Sequence, residues 1–332
     1  MRWVTYHCPP AGSRAGLVIG DRVHLLPDTV SVLELLGDDG ERLHAAGERA
    51  TSDPADVVAF SRDRIGPPLR PPSIRESVGF LEHVRNTSPA GTINENFTRF
   101  PPFYFSNPTA VTGPYTDIAV FPGSRQFDYE LEVGAIIGRP ASDVRPEDAH
   151  CHIAGYVLFC DWSARDLQLR EMGLGLGPAK GKDGANTLGP YFVTPDELEP
   201  WRSGESYRLE MSARVNGERT SQGRLDSMDW TFGDMIAYAS RGTTLQPGDM
   251  IGSGTVPSGC LLESYIQHPD TFHGWLKPAD VVCLEVQGLG ATCQTILPGR
   301  NPHPLRTAGR PEPAWNQHAR KSAATAQHGQ DD

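Results

Sequence analysis

The sequence of 332 residues predicts a mixed α+β fold in which β-strands predominate. Its 35 glycines and 29 prolines favour many turns between short elements. Short segments of alternating or continuous apolar residues recur along the chain, while segments with helical periodicity are few. A chain of this length can bury a substantial core, either as one large domain or as two smaller domains.

The net charge of −11 argues against nucleic acid or an anionic membrane surface as a partner. No apolar run approaches the length of a membrane span, and residues 1–6 lack the apolar core of a signal peptide. We therefore expect a soluble, cytoplasmic protein.

The six cysteines include no C-x-x-C pair, and several lie in apolar runs. We therefore expect reduced, buried thiols and neither zinc nor disulfides.

Residues 1–70 are expected to form a small N-terminal β domain. Three short strands are predicted at 3–6, 16–19 and 22–25, followed by a helix at 31–36 with Ser31 as its N-cap and Glu34 three residues later. The proline-rich segment 66–72 is a stiff connector and a natural domain boundary.

The next segment, 73–86, shows helical spacing of apolar residues, which predicts a helix. Glu76 and His83 are seven residues apart, which is two helical turns along one face. A lone histidine on such a helix is more often a surface or packing residue than a functional one. Residues 87–100 are polar and irregular, which is typical of a loop or lid.

Apolar and acidic residues alternate in the segment 127–138, which is the period of a β-strand. The pattern places Asp128, Glu130 and Glu132 on one face. Like charges on a sheltered face repel one another and are costly to desolvate, and a divalent cation removes both problems. The alternative is a solvated stripe on an edge strand.

A second apolar strand at 153–160 ends at Asp161, where a carboxylate either caps a helix or binds a metal. Arg165 and Gln168 follow on one helix face. The glycine-rich loop 173–190 lacks the spacing of a phosphate-binding loop. We expect it to bring Lys182 to the site, with a solvated Lys182 as the alternative.

The remaining elements are mostly strands. We predict a strand at 207–215, a hairpin turn at Asn216-Gly217, a helix near 231–240 and closing strands at 281–287 and 291–296. The catalytic domain is expected to span 73–300. From residue 301 the chain is polar and without apolar periodicity, which predicts a disordered tail at 301–332.

Five motifs occur in one order along the chain. They are D-Y-E-x-E-x-G at 128–134, D-W-S-A-R-D-x-Q at 161–168, G-K-D at 181–183, G-D-x-x-x-S-G-T at 248–255, and Glu263. With these motifs the sequence resembles the fumarylacetoacetate hydrolase superfamily over residues 73–298. The resemblance implies a β-roll catalytic domain behind a small N-terminal β domain, and a homodimer.

The resemblance also implies the roles of individual residues. It implies a divalent cation, Mg²⁺, Mn²⁺ or Ca²⁺, held by Glu130, Glu132 and Asp161, with Glu76 as a further ligand where the hydrolases have aspartate. It implies His83 as the catalytic base, Glu263 as its orienting partner and Lys182 as a catalytic cation. Arg165, Gln168 and Thr255 match groups that bind substrate.

The implied reaction is hydrolysis of a C–C bond in a β-dicarbonyl or oxo-acid substrate, with His83 activating water and the cation stabilising an enolate. The alternatives are an oxo-acid decarboxylase or hydroxy-dienoate isomerase on the same site, and a catalytically silent protein that binds carboxylates. Three positions depart from the family pattern. Val78 stands where the hydrolases have a substrate-binding tyrosine, and Asn186 stands where they have a threonine. Asn86 stands where the decarboxylase branch has a glutamate.

Overall fold

The computed structural model describes residues 1–10, 12–27, 30–88 and 90–305. Strands predominate in this part of the chain, which confirms the predicted fold class. In chain order they are β1 (Arg2–His7), β2 (Ser13–Ile19), β3 (Arg22–Leu25), β4 (Asp56–Ala59), β5 (Ile65–Gly66), β6 (Ile74–Ser77), β7 (Phe103–Ser106), β8 (Val111–Thr112), β9 (Ile118–Ala119), β10 (Phe127–Asp128), β11 (Leu131–Ile137), β12 (Ile153–Asp161), β13 (Ser163–Ala164), β14 (Asn186–Leu188), β15 (Phe192–Val193), β16 (Arg202–Ser203), β17 (Ser206–Tyr207), β18 (Glu210–Val215), β19 (Glu218–Arg224), β20 (Met250–Gly252), β21 (Val281–Val286) and β22 (Gly290–Leu297).

The α-helices of the described residues are short. They are α1 (Glu41–Ser52), α2 (Leu81–Asn86), α3 (Arg165–Met172), α4 (Pro195–Leu198), α5 (Phe232–Ala239) and α6 (Leu261–Gln267). None is long and apolar enough to cross a bilayer.

A 13-stranded mixed sheet forms the centre of the molecule, with the main strand order β4-β3-β2-β1-β15-β12-β11-β20-β6-β7. Strand β1 pairs with β15, so the N-terminal strands continue the sheet of the later residues, and residues 1–300 form one compact unit. The boundary near residue 70 stays a prediction about which part folds by itself. The predicted tail, from residue 306 onward, lies outside the described residues.

The two middle strands, β11 and β12, are buried on both faces. Leu131 and Val133 pack on one side against residues of the second, five-stranded sheet, β19-β18-β21-β22-β9. Ile136 and Phe159 pack on the other side against Trp3 and the N-terminal strands. The acidic segment therefore lies in the middle of the fold, and the alternative of a solvated edge strand is wrong.

The predicted helix at 73–86 is wrong in its first half. Residues 74–77 form β6, which pairs in parallel with β20 and antiparallel with β7. All four residues are buried, so the apolar spacing that indicated a helix comes from a strand with neighbours on both edges. His83 lies on the short α2 that follows, and Glu76 and His83 therefore do not share a helix face.

Two local predictions differ in detail. Ser31 and Glu34 form the expected hydrogen-bonded pair, since the Ser31 N–H donates to Glu34 Oε2 at 2.7 Å, but only one 3₁₀ turn follows and α1 was missed. Cys283 and Cys293 lie opposite each other on β21 and β22 and form a disulfide, so the expectation of reduced thiols was wrong for this pair.

The C-terminal elements follow the sequence closely. Asn216 and Gly217 both have positive φ, 53° and 85°, as a tight hairpin turn between β18 and β19 requires. Thr231 and Asp234 form a capping box at the start of α5.

Candidate functional site

A cavity of about 120 Å³ opens where β6, β11 and β20 lie side by side. Acidic, basic and hydroxyl side chains line it together with two apolar ones. The lining residues are Glu76, Ser77, Val78, Phe80, His83, Tyr104, Glu130, Glu132, Gln168, Lys182, Gly254 and Thr255. Most of the residues that the sequence singled out therefore meet in one place.

The acidic segment does not run as a single strand. It ends as β10 at Asp128 and resumes as β11 at Leu131, because β10 pairs with β13 while β11 pairs with β12 and β20. Glu130 and Glu132 both line the cavity, as the alternation predicted. Asp128 turns elsewhere: its carboxylate accepts hydrogen bonds from the N–H groups of Leu261 and Leu262 and thereby anchors the start of α6.

Two buried cations hold Glu130. Arg165 Nη1 lies 2.7 Å and Lys182 Nζ 2.5 Å from its carboxylate oxygens. Lys182 Nζ also lies 3.0 Å from Asp161, so the ammonium joins two carboxylates from different strands. Although burial raises the pKa of Glu130, Arg165 and Lys182 lower it well below its usual range. Lys182 is 3% exposed, and the alternative of a solvated lysine is wrong.

Three other carboxylates are only half satisfied. Glu76 Oε1 accepts from the Gly254 N–H at 3.0 Å, Glu132 Oε1 lies 3.4 Å from the Thr255 hydroxyl, and Asp161 Oδ2 accepts from the Tyr104 hydroxyl. The other oxygen of each group is buried and has no hydrogen-bond partner among the described residues. These atoms are Glu76 Oε2, Glu132 Oε2 and Asp161 Oδ1. Unpaired buried polar atoms are rare and costly. They indicate a missing partner or, for Glu76 and Glu132, whose carboxyl groups lie within hydrogen-bond reach of each other, a shared proton.

Charge compensation is also incomplete. Of the four buried carboxylates, Glu76, Glu130 and Glu132 line the cavity, whereas Asp161 does not and joins the cluster through Lys182. Two buried cations face these groups, and one of them, Arg165, is shared with Asp128. Burial raises the pKa of Glu76 to about 8. Burial also raises the pKa of Asp161, and burial together with Glu76 raises that of Glu132. Protons on these groups are one way to remove the excess negative charge, and a bound dication is the other.

The donor chemistry fits Mg²⁺, Mn²⁺ or Ca²⁺, which prefer carboxylate oxygens. The four carboxylates have not closed around a point, because Lys182 and Tyr104 hold two of them. In the part of the chain that the structure describes, the one group of three histidine, cysteine or acidic donors within 4.8 Å of one another is His83, Cys260 and Glu263. The fit of a hard cation therefore rests on the unpaired oxygens and their chemistry.

Gly252 on β20 makes room for Glu76. The two residues are register partners on adjacent strands, and a Cβ atom at 252 would lie 1.8 Å from Glu76 Oε2. Any side chain at this position displaces the carboxylate from the cavity. Gly252 stands at a variable position within the motif at 248–255, and a close approach, not a turn, explains the glycine there.

A histidine–glutamate pair lies beside the carboxylates. His83 Nδ1 is 2.6 Å from Glu263 Oε1, and because a carboxylate only accepts, Nδ1 carries the proton. Nε2 is therefore the nitrogen left to accept a proton in the neutral ring. Asn86 Nδ2 and the Ser258 N–H donate to Glu263 Oε2 at 2.7 and 3.0 Å, so both carboxylate oxygens are fixed.

The substrate residues implied by the resemblance divide into two groups. Gln168 and Thr255 line the cavity, whereas Arg165 lies behind it with its guanidinium paired to Asp128 and Glu130. The structure therefore gives Arg165 the position of a support for Glu130. Val78 lines the cavity, while Asn186 is buried against Ser106 and the Asn107 carbonyl.

The site contains two further residues: Tyr104, which was missed, and Asn86, which was noted only as a departure from the family pattern. Tyr104 contacts Asp161 from β7, and Asn86 contacts Glu263 from α2. The position of Asn86 three residues after His83 on one helix is a sequence signal that indicates a shared partner. No local signal indicates Tyr104, since its partner is 57 residues away.

Fold and site together define the class of this protein, a mixed-sheet α+β protein with a buried acidic pocket. Residues 74–297 match the family model described as fumarylacetoacetate (FAA) hydrolase C-terminal. The match spans well over half of the chain, and the protein belongs to the fumarylacetoacetate hydrolase superfamily.

Known proteins resemble nearly the whole chain. The human (Homo sapiens) protein named oxaloacetate tautomerase FAHD2A, mitochondrial, is 27% identical over 90% of this chain and 92% of its own length. A structure of a putative HpcE protein from Mycobacterium smegmatis has a TM-score of 0.69 at 26% identity, covering 90% of this chain and 99% of that chain. Fumarylacetoacetate hydrolase from psychrophilic Exiguobacterium antarcticum has a TM-score of 0.67 at 25% identity, with the same coverage.

The substitution Gly252→Ala tests whether Glu76 is a metal ligand. We expect a folded protein whose Mg²⁺ or Mn²⁺ affinity falls at least about tenfold, roughly 1.4 kcal/mol, because the new methyl group displaces the carboxylate. Isothermal titration calorimetry measures the affinity and circular dichroism the fold. The control is Gly173→Ala, where the nearest atom is 3.3 Å from the added Cβ. Unchanged affinity in Gly252→Ala would remove Glu76 from the ligand set.

Proposed function

We propose that the protein is a divalent-metal-dependent hydrolase that cleaves a C–C bond in a β-dicarbonyl or oxo-acid substrate. The observation that carries the proposal is one small cavity containing half-satisfied carboxylates beside a histidine whose Nδ1 is held by a glutamate. The first group suits a hard dication, and the second suits a general base.

Glu130, Glu132 and Asp161 would hold the cation, with Glu76 as a fourth ligand. Their oxygens are the hard donors that Mg²⁺, Mn²⁺ and Ca²⁺ prefer, and three of them have a free, buried oxygen. A bound dication supplies Lewis acidity that stabilises the negative charge of an enolate.

His83 acts as the general base. The Nδ1–H bond to Glu263 fixes the ring and stabilises the imidazolium that forms when Nε2 takes a proton from water. The resulting hydroxide adds to a substrate carbonyl carbon, the adjacent C–C bond breaks, and an enolate leaves. Asn86 keeps the Glu263 carboxylate in place through Oε2.

The other lining residues bind and shield the substrate. The Lys182 ammonium lies at the cavity wall, where it attracts the substrate carboxylate and the enolate oxygen. Gln168 and Thr255 supply hydrogen-bonding groups. Val78 and Phe80 are apolar and limit the access of water to the reacting atoms.

A tautomerase or isomerase of an oxo-acid is the second candidate. It is supported by the name of the human relative, oxaloacetate tautomerase, whose similarity extends over 90% of this chain. The same base and cation serve this reaction, because it also passes through an enolate; the difference is that a proton, and not water, is delivered to carbon. Decarboxylation and a catalytically silent role are the remaining alternatives.

Product analysis separates these reactions. With Mg²⁺ or Mn²⁺ present, we expect the ultraviolet band of an acylpyruvate to disappear and two carboxylic acids to form in equal amounts. Chelation with EDTA should abolish the reaction because the carboxylates then lack their cation. Enol-to-keto exchange of oxaloacetate without cleavage of the acylpyruvate would favour the tautomerase, and release of CO₂ the decarboxylase. A protein inactive in all three reactions would contradict the proposal.

The substitution His83→Ala should lower kcat by about 10²–10⁴-fold, the usual contribution of a general base. Metal affinity should not change, since His83 donates no ligand to the acidic cluster. Steady-state kinetics and calorimetry on the same preparation measure both quantities. The control is His150→Ala, which removes an exposed histidine. A rate close to wild type in His83→Ala would exclude His83 from the mechanism.

We also propose that the protein is a homodimer. Four exposed apolar side chains follow one another on α3 and the loop after it: Leu169, Met172, Leu174 and Leu176. A cluster of this kind is expected at an interface between subunits. Size-exclusion chromatography with light scattering should give twice the chain mass of 36.2 kDa. The substitutions Leu174→Ser and Leu176→Ser together should shift the mass toward the monomer, and a monomeric wild type would contradict the proposal.

A further inference from the structure

A second group of metal-binding atoms consists of the histidine–glutamate pair together with Cys260. A ring nitrogen of His83, the Cys260 Sγ atom and a Glu263 carboxylate oxygen all lie within 4.8 Å of one another, and Nδ1 is the nitrogen that faces Glu263. Cys260 is the residue before α6, and Glu263 is in its first turn, while His83 comes from α2. Cys260 and Glu263 are buried, and His83 is partly buried.

The chemistry of this group differs from that of the acidic cluster. It offers one imidazole nitrogen, one thiol sulfur and one carboxylate oxygen, whereas the acidic cluster offers oxygen alone. Nitrogen and sulfur donors select borderline or soft ions, and three such ligands with an open fourth position are typical of zinc. Mg²⁺ and Ca²⁺ bind sulfur and nitrogen poorly.

We propose that His83, Cys260 and Glu263 form a second cation site that takes a thiophilic dication such as Zn²⁺, and that its occupation switches the enzyme off. The site shares His83 with the substrate cavity, whose described lining includes neither Cys260 nor Glu263. The binding part of this proposal is independent of the proposed function. The inhibitory part rests on the role of His83 as the base.

The proton balance explains the inhibition. Formation of the zinc–sulfur bond releases the thiol proton of Cys260 to solvent. Formation of the zinc–Nδ1 bond displaces the proton that Nδ1 donates to Glu263, and this proton moves through solvent to Nε2, so that the ring stays neutral. One proton is released in total, and no oxidation occurs. Nε2 then carries a hydrogen and has no lone pair with which to accept a proton from water.

Glu263 can accommodate the ion without losing its position. Its Oε1 exchanges the hydrogen bond from His83 for the cation. Its Oε2 keeps the hydrogen bonds from Asn86 and from the Ser258 N–H. The carboxylate is thus held from the side opposite the ion, as an outer set of hydrogen bonds commonly holds metal ligands.

The experiment titrates Zn²⁺ into the full-length, Mg²⁺-loaded enzyme and follows turnover. We expect activity to be lost in the wild type. Cys260→Ser should retain the basal rate, because Cys260 does not line the cavity, and should need at least about tenfold more Zn²⁺ for the same inhibition. Cys151→Ser is the matched control: it removes an exposed thiol whose Sγ lies 3.3 Å from His150 Nε2, and its zinc response should equal that of the wild type.

Cobalt gives a readout that does not depend on activity. Co²⁺ bound to a thiolate shows a charge-transfer band in the near ultraviolet, which oxygen ligands of the acidic cluster cannot produce. We expect this band in the wild type and in Cys151→Ser, and not in Cys260→Ser. Cys260→Ala, compared by circular dichroism, provides a second variant if the serine disturbs the fold.

Each outcome decides one part of the proposal. Equal zinc inhibition of wild type and Cys260→Ser would overturn it, because zinc would then act at the acidic cluster. Absence of the cobalt band in the wild type would overturn the site itself. A cobalt band without any loss of activity would support the site and overturn the inhibition, while the kinetics of His83→Ala decide separately whether His83 is the base.

Discussion

The structure depends on the burial of negative charge in the middle of a sheet. Glu130, Glu132 and Asp161 lie on or beside strands that are covered on both faces, and with 0–6% of their surface exposed they are poorly solvated by water. Lys182 and Arg165 compensate part of this charge and leave the rest on carboxylates with unpaired oxygens. A fold tolerates such a cluster when a ligand completes it, and a hard dication meets that requirement.

The short acidic segment serves three different purposes. Asp128 accepts hydrogen bonds from the first N–H groups of α6 and thereby fixes the helix that carries Glu263. Glu130 is held by two cations, and Glu132, which also lines the cavity, has one oxygen without a hydrogen-bond partner among the described residues. The break between β10 and β11 makes this division possible, because it turns Asp128 away from its neighbours. A single stretch of chain thus positions two carboxylates of the acidic cluster and the helix that carries Glu263.

Two sets of donor atoms with different chemistry lie next to each other. His83 belongs to the second set and also lines the cavity that contains the first. The acidic cluster offers oxygen ligands, while the group behind it offers nitrogen, sulfur and oxygen. Selectivity between cations follows from the donor atoms, since affinities for N, O and S sites differ in a regular order among dications. On the proposed function, an ion of one kind enables the reaction and an ion of the other kind removes the base from it.

The sequence by itself determined the class of the fold, the family and the types of residue at the site, because ordered motifs and the alternation of 127–138 are local properties of the chain. It also predicted the hairpin at 216–217 and the start of α5, where turn and capping chemistry involve neighbours. The tertiary structure decided which residues are partners at the site and which segments form strands.

Residues 74–77 form a strand because β20 and β7 lie on either side of them, although their apolar spacing alone indicates a helix. Arg165 lies behind the cavity and Asn86 beside Glu263 because distant carboxylates hold them. A periodicity shows which face a side chain occupies, but its partner comes from another part of the chain, and only the folded sheet brings the two together.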